Sequence, residues 1–277
     1  AGNSIILRGG RDSYYSSHKL KDIIKTSFLN AGLPKNVVQM ISSTDRSAVD
    51  EMIQLDDYID IIIPRGGKSL IKKIKEKSSI PVIKHLDGIC HVFVEKNADI
   101  EKAKAIIFNS KMRRTGICGA SETLLIDKSL SNKALNLIQN LMDSKCEIRG
   151  DNFISQLHPS FKKATEKDWG TEYLDSIISI KIVDGVQEAI KHINKYSSGH
   201  TESIITEDKE IFKIFYKKID SAIILHNAST QFADGGEFGF GVEIGISTDK
   251  LHVRGPVGAE HLTSFKYVIH GNGQVRP

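Results

Sequence analysis

Short apolar runs alternate with amphipathic stretches along most of the 277 residues. Ser4 to Leu7 has the character of a strand and ends in Arg8-Gly9-Gly10. Leu20, Ile23, Ile24 and Phe28 form the 3.6-residue stripe of a helix, closed by Gly32 and Pro34. Val37 to Ile41 predicts a strand, Ser47 to Leu55 a helix, and Ile59 to Ile63 a buried strand followed by Pro64-Arg65-Gly66-Gly67. A Lys-rich helix from Ser69 to Lys77 and a strand from Pro81 to Ile83 come next. The second stretch predicts strands at 91–94, 123–126, 177–183, 204–205 and 222–225. Helices are expected at 100–110, 130–142, 187–196 and 208–217, the last capped by Asp208. Residues 143–170 are weakly patterned and read as loop-rich. Residues 227–258 are glycine-dense and read as an irregular binding loop, and Thr263 to Ile269 reads as a final strand. Strands alternating with helices specify an α/β fold built on a parallel sheet.

Composition narrows the function. A chain of 277 residues suits two domains or one large α/β unit. A net charge of +4 and 7% aromatic residues argue against a nucleic-acid binder. The lysines at 68, 72, 73, 75 and 77 read as a solvated helix face. Three widely spaced cysteines, with no CxxC, argue against a disulfide framework and a structural zinc site, and suit a reducing cytosol. The histidines lack metal-ligand spacing, so no metal is expected. No apolar run approaches the length of a membrane span, and no signal-peptide pattern or GxSxG elbow occurs. The chain opens with Ala1 directly on an apolar strand, which reads as a fragment cut at its N-terminal side.

The densest chemistry lies in Arg113-Arg114-Thr115-Gly116-Ile117-Cys118-Gly119-Ala120-Ser121-Glu122. A cysteine in a basic, glycine-lined turn before a strand fits a nucleophile, because nearby positive charge favours the thiolate. A lone cysteine is also commonly just a small buried residue. The two Arg-Gly-Gly turns, at Arg8 and at Arg65-Gly66-Gly67, each follow a predicted strand. Glycine lets the backbone approach a phosphate, and a helix N-terminus supplies free N–H groups. Either turn also serves as a plain strand-to-helix connection. Glu172 could hold a ribose hydroxyl pair or stand in solvent.

Taken together, these segments resemble the gamma-glutamyl phosphate reductases, or glutamate-5-semialdehyde dehydrogenases, of the aldehyde dehydrogenase superfamily. The carriers are Gly2 to Gly10, Ile63 to Gly67, Gly116-Ile117-Cys118 with Glu122 to Leu125, and Ser198-Gly199-His200. Asn227 to Thr230, Asp234 to Gly239, Glu243 to Thr248, His252 to Pro256 and Gly271 to Arg276 complete the set. The resemblance implies an aldehyde dehydrogenase-like fold. A partial Rossmann-type cofactor domain would span 1–88, an α/β catalytic domain 89–253, and an oligomerisation tail 254–277. It implies NADPH-dependent reduction of L-glutamyl 5-phosphate to glutamate 5-semialdehyde and phosphate, in proline biosynthesis. Cys118 would be the nucleophile, forming a thioester, with its backbone N–H as an oxyanion donor.

By the same resemblance Arg8 would lie near the adenosine end of the cofactor, and Arg65, Gly66 and Gly67 near its pyrophosphate. Glu172 would lie near the nicotinamide ribose, and Asn227, Ser229 and Thr230 at the amino-acid end of the substrate. Arg114 would attract the substrate's phosphate or carboxylate, or form a structural ion pair. His85 stands where hydrolytic relatives carry a glutamate base, which suits reduction over hydrolysis. Thr115, Gly119 and Gln231 depart from the usual proline, asparagine and arginine. The resemblance further implies a homo-oligomer, a glutamate kinase partner, a cytoplasmic setting, and an N-terminal segment beyond Ala1 that carries strands and an oxyanion asparagine. A catalytically silent chain keeping only an oligomerisation or nucleotide surface, and another cysteine-dependent aldehyde dehydrogenase, remain the alternatives.

Overall fold

The computed structural model describes residues 1–84 and 87–277, leaving aside the Lys68 side chain; the expectation placed on His85 lies outside the described residues. By its contacts the chain forms two units. One comprises residues 1–62, 72–82 and 258–277, the other residues 63–71 and 83–257.

In the first unit β1 (Ile5–Leu7) pairs in parallel with β2 (Val38–Met40), and α1 (Tyr14–Asn30) connects them. The α1 helix forms where its periodicity predicts, but none of its residues is buried. α2 (Ser47–Met52) follows. Ile59 to Ile63, expected as a strand, forms only a single parallel bridge, Ile62 to Val82. Prolines explain this: Pro64 and Pro81 flank the pairing and have no N–H to extend a ladder. α3 spans Lys68–Lys77, residues 68–71 belonging to the second unit and 72–77 to the first. The expected strand at Thr263 to Ile269 pairs with nothing among the described residues. Its Phe265, Tyr267, Val268 and Ile269 stand open to solvent.

The second unit holds a seven-stranded sheet in which every ladder is parallel. Its elements in chain order are β3 (Cys90–Val94), α4 (Ile100–Met112), β4 (Ser121–Asp127), α5 (Ala134–Asp143), β5 (Glu147–Gly150), β6 (Lys162–Lys163), β7 (Ile177–Val183), α6 (Gly185–Tyr196), β8 (Thr201–Ile205), α7 (Lys209–Lys218) and β9 (Ile223–His226). The sheet order is β6-β5-β7-β4-β3-β8-β9. A small antiparallel pair, β10 (Gly245–Ser247) and β11 (Gly255–Val257), orders part of the glycine-dense loop.

The central strands are apolar on both faces because helices cover both. Val92, Val94, Leu124, Ile126, Ile178 and Ile180 pack on one side against Ala103, Ile106 and Ile107 of α4 and Leu137, Ile138 and Leu141 of α5. Phe93, Leu125 and Ile204 pack on the other side against Ala189, Ile190 and Ile193 of α6 and Phe215 of α7. Two expectations shift here. Residues 130–142 do not form one helix: a 3-10 turn over Lys128–Lys133 precedes α5, started by Asp127 accepting from Ser129 N. The stretch 143–170 contributes β5, inserted between β6 and β7, and alternates in burial although too short to register as a pattern.

Helix caps anchor the outer layer. The Asp208 side chain accepts from the N–H groups of Glu210 and Ile211 at the start of α7. Asp208→Ala leaves both unpaired and is expected to lower stability by about 1 kcal/mol. Urea unfolding of the two proteins, compared at equal slope, measures it.

Candidate active site

Parallel pairing brings the segments that enter β3, β4, β7 and β8 to one edge of the sheet, the amino edge. Cys118 lies there, three residues before β4, at the corner of a tight turn closed by Ala120 N donating to Ile117 O at 2.9 Å. Gly88, Glu172 and Ser198 come from the neighbouring entries. Gly88 N donates to Glu172 Oε1 at 2.8 Å, and Ile89 N to Ser198 Oγ at 3.0 Å. Behind the turn the buried Cys90 thiol donates to the Cys118 carbonyl at 3.1 Å, and its sulfur lies 3.5 Å from His200 Nδ1. Of the three cysteines Cys90 and Cys146 are buried, whereas Cys118 is partly exposed.

The backbone contact at this point is tight. A Cβ on Gly88 would fall 2.1 Å from the Cys118 carbonyl oxygen and 2.6 Å from its Cα. Gly119 faces the next wall, where a Cβ would sit 3.2 Å from the Thr230 carbonyl. The Cys118 side chain packs against Ile223, Ala233 and Ile246.

The electrostatics reverse the expectation drawn from Arg113 and Arg114. Burial pushes the Cys118 thiol up to about 11; the Glu243 and Glu172 carboxylates push the same way, against its own backbone N–H and Arg65. Arg113 and Arg114 are both exposed. Arg113 donates to Gln231 Oε1 at 3.4 Å, and the Arg114 carbonyl accepts from Gln231 Nε2 at 3.1 Å. Gln231, where the resembled family carries arginine, is buried and clamps the turn, its Nε2 also donating to Ser110 O.

The other expected residues separate into groups. Ser229 and Thr230 are buried beside the cysteine turn. Ser229 Oγ accepts from Ser110 Oγ, and Thr230 N donates to the same hydroxyl. Asn227, in a left-handed conformation (φ 53°), is occupied elsewhere, its amide bridging the backbone of Thr206 by two bonds of 2.9 Å. Arg65 donates to the Ile244 carbonyl and lies over Gly245. Gly66 is left-handed (φ 149°), and a Cβ on Gly67 would meet nothing within 4 Å. Arg8 belongs to the first unit, where it donates to the carbonyls of Thr44 and Asp45.

Sequence reading missed Gly88, Glu243 and a buried pair, Lys111 and Glu122. Lys111 Nζ meets Glu122 Oε2 at 2.6 Å, and burial pushes the Glu122 carboxyl up to about 7 against the pull of Lys111. The signal available was a lysine near the end of an apolar-patterned helix and a glutamate inside a strand that is otherwise uncharged up to Asp127.

A cavity of about 370 Å³ opens nearby between Arg149, Lys162, Lys163, Lys167, Asp168 and Tyr173. Asp168 organises its wall. Burial raises its carboxyl, but bonds from Thr165, Arg149 and Tyr173 outweigh this and hold it well below the usual carboxylate range. A depressed native value stabilises the fold above the unfolded value of about 3.9 and loses that contribution as pH falls through the native value. Asp168→Asn is therefore expected to narrow the stability gap between pH 7 and pH 2, measured by urea titration across that window.

Among the described residues no helix is long and apolar enough to cross a membrane, and no group of three His, Cys, Asp or Glu could hold a metal ion. Residues 1–153 match the model of the aldehyde dehydrogenase family. The chain is 55% identical over 277 residues to a gamma-glutamyl phosphate reductase of Bartonella tribocorum, covering all of this chain and 68% of that one. It superposes with a TM-score of 0.95 and 45% identity on a crystal structure of gamma-glutamyl phosphate reductase from Thermotoga maritima, covering all of this chain and 67% of that one. An acetylating aldehyde dehydrogenase from Geobacillus thermoglucosidasius shares the fold, with a TM-score of 0.76 at 19% identity.

Proposed function

This chain belongs to the gamma-glutamyl phosphate reductases of the aldehyde dehydrogenase family, oxidoreductases that use a nicotinamide cofactor in proline biosynthesis, and we propose that it reduces L-glutamyl 5-phosphate with NADPH through a thioester on Cys118. The observation that supports this most is the position of Cys118. It is the partly exposed cysteine, in a tight turn where four strand entries converge. Once deprotonated, its sulfur attacks the acyl carbonyl carbon, the bond to the phosphate oxygen breaks, and inorganic phosphate leaves. A nicotinamide cofactor, when bound, would supply hydride to the thioester carbonyl. Collapse then releases the aldehyde and returns the thiol. In this reading the backbone N–H of Cys118 is the local donor for the oxyanion.

The residues present suit a nicotinamide cofactor. Gly66 and Gly67 precede α3 with open space at Gly67, so a diphosphate can reach the first N–H groups of that helix. Glu172 is held beside the cysteine turn by accepting from Gly88 N, and in this reading its carboxylate takes the ribose hydroxyls. By the same reading Arg8 and Arg65 bind the cofactor, while Arg114, Ser229 and Thr230 form the substrate side; Asn227, whose amide is taken up by the Thr206 backbone, shapes that loop and does not touch the substrate. Residues 1–88 are part of the cofactor domain, 89–253 the catalytic domain, and 254–277 an oligomerisation tail, whose bare Phe265, Tyr267 and Ile269 suit a homo-oligomer. A cytoplasmic enzyme with a glutamate kinase partner completes the reading, because that partner makes the acyl phosphate.

The chain spans about two thirds of the length of its relatives. The test therefore uses the chain and a chimera that adds the uncovered third of the Bartonella tribocorum sequence. Each receives glutamate 5-semialdehyde, NADP and phosphate, and reduced cofactor is followed by absorbance. Phosphate-dependent turnover supports the reading. Turnover indifferent to phosphate would point to another aldehyde dehydrogenase that oxidises in water, and silence in both folded proteins to a chain without this chemistry.

A further inference from the structure

Lys111, near the end of α4, and Glu122, second in β4, bury both charges, with Nζ to Oε2 at 2.6 Å. A buried ion pair is no better for stability than well-packed apolar side chains, so its placement points to a role that apolar side chains could not fill. The other carboxylate oxygen shows that role, since Glu122 Oε1 accepts from Leu174 N at 3.3 Å. Leu174 is left-handed (φ 53°), a conformation a leucine adopts only when something holds it. Two residues earlier Glu172 Oε1 accepts from Gly88 N, and Gly88 lies against the backbone of Cys118. Tyr173, between them, is tied by its hydroxyl to Asp168 and Ser179, with the Lys111 ammonium 5.9 Å from its ring.

We propose that the Lys111–Glu122 pair is a positioning device for the thiol site: it fixes the 172–174 turn, and through that turn sets the seat of Gly88 on Cys118 and the place of the Glu172 carboxylate beside the thiol. This goes beyond the proposed reaction and rests on it only in taking Cys118 as the reactive thiol. Lys111 and Glu122 touch neither substrate nor cofactor and act through the turn. The carboxylate supplies the acceptor that holds the strained amide, and the ammonium satisfies and orients its other oxygen.

Two double variants separate the acceptor from the charge. Lys111→Met with Glu122→Gln removes both charges and keeps a carbonyl facing Leu174 N. Lys111→Met with Glu122→Leu removes the acceptor as well, and neither strands a single buried ion. On the 277-residue chain, hydrogen exchange reads the Leu174 and Gly88 amides, and iodoacetamide alkylation across pH, mapped by mass spectrometry, reads Cys118. The Glu122→Leu double variant is expected to exchange both amides on the order of tenfold faster and to lower the alkylation midpoint by about half a pH unit. The Glu122→Gln double variant stays within about twofold of the parent on both. Glu172→Gln, which keeps an acceptor for Gly88 without its charge, must lower the midpoint while Leu174 exchange holds.

Unchanged Gly88 exchange in the Glu122→Leu double variant, or loss confined to Leu174, overturns the proposal. So does an unmoved midpoint in Glu172→Gln, a result that stands even if the Glu122→Leu double variant does not fold. None of these readouts needs turnover, so failure of the proposed reaction leaves a different signature: normal coupling in a chain with no phosphate-dependent activity.

Discussion

Cys118→Ala is expected to lower phosphate-dependent oxidation of glutamate 5-semialdehyde on the order of 10⁴-fold or more, because it removes the atom that becomes acylated and no other group can take that place. Cys90 is sealed behind the turn, and Cys146 lies in the core between α5 and β5. Cys146→Ser is accordingly expected to cost stability and leave the rate per folded molecule alone. The same thiol carries a second, independent expectation. A value of about 11 leaves roughly one molecule in 10⁴ as thiolate at pH 7, against a few per cent for an ordinary cysteine. Alkylation of Cys118 should therefore be slow at neutral pH and rise through about pH 11. Glu243→Gln removes the largest opposing charge and should bring that midpoint down. A midpoint at or below the ordinary cysteine value in the parent chain would refute this account of the site's electrostatics.

Much of the second unit was legible in the sequence because one physical rule governs it. A parallel sheet covered on both faces needs runs such as Ile177 to Ile182 and Leu124 to Ile126, and those runs stand out. The cysteine turn was legible for a related reason: glycine on either side of Cys118, directly before such a run, marks a strand entry. What failed were inferences from composition to contact. Arg113 and Arg114 are close to Cys118 in sequence, yet the chain passes through a turn between them and the sulfur, and their side chain and carbonyl are engaged with Gln231. The carboxylates that act on the thiol, Glu172 and Glu243, come from 54 and 125 residues downstream, a proximity created only by the strand order. Ile59 to Ile63 looked like a strand because hydrophobic content was read without counting the N–H groups that prolines remove. Thr263 to Ile269 has the alternation of a strand but no partner among the described residues, and alternation alone cannot supply one.

The second large expected effect concerns a residue with no side chain. Gly88→Ala places a methyl 2.1 Å from the Cys118 carbonyl oxygen and 2.6 to 2.7 Å from its Cα and carbonyl carbon. These are backbone atoms, so no rotamer change relieves the overlap, and either the entry to β3 or the cysteine turn has to move. Overpacking of this kind costs about 3 kcal/mol or more when the neighbours are main chain. The movement cannot stay local. Gly88 N is held by Glu172, Ile89 N by Ser198, and the Cys90 thiol by the Cys118 carbonyl, so displacing Gly88 strains three contacts that define the same edge. Gly116→Ala is the matched control. It lies in the same turn, its φ is not left-handed, and its Cβ would meet only the Leu174 carbonyl at 3.8 Å, an ordinary contact. Urea unfolding should show a large loss for Gly88→Ala and a change within about 0.5 kcal/mol for Gly116→Ala. Because Gly88 carries Cys118, the alanine variant should also shift the alkylation profile of the thiol, while the control keeps it. Equal stability in the two variants would mean that the contact between the β3 and β4 entries is looser than the geometry of Gly88 against Cys118 requires.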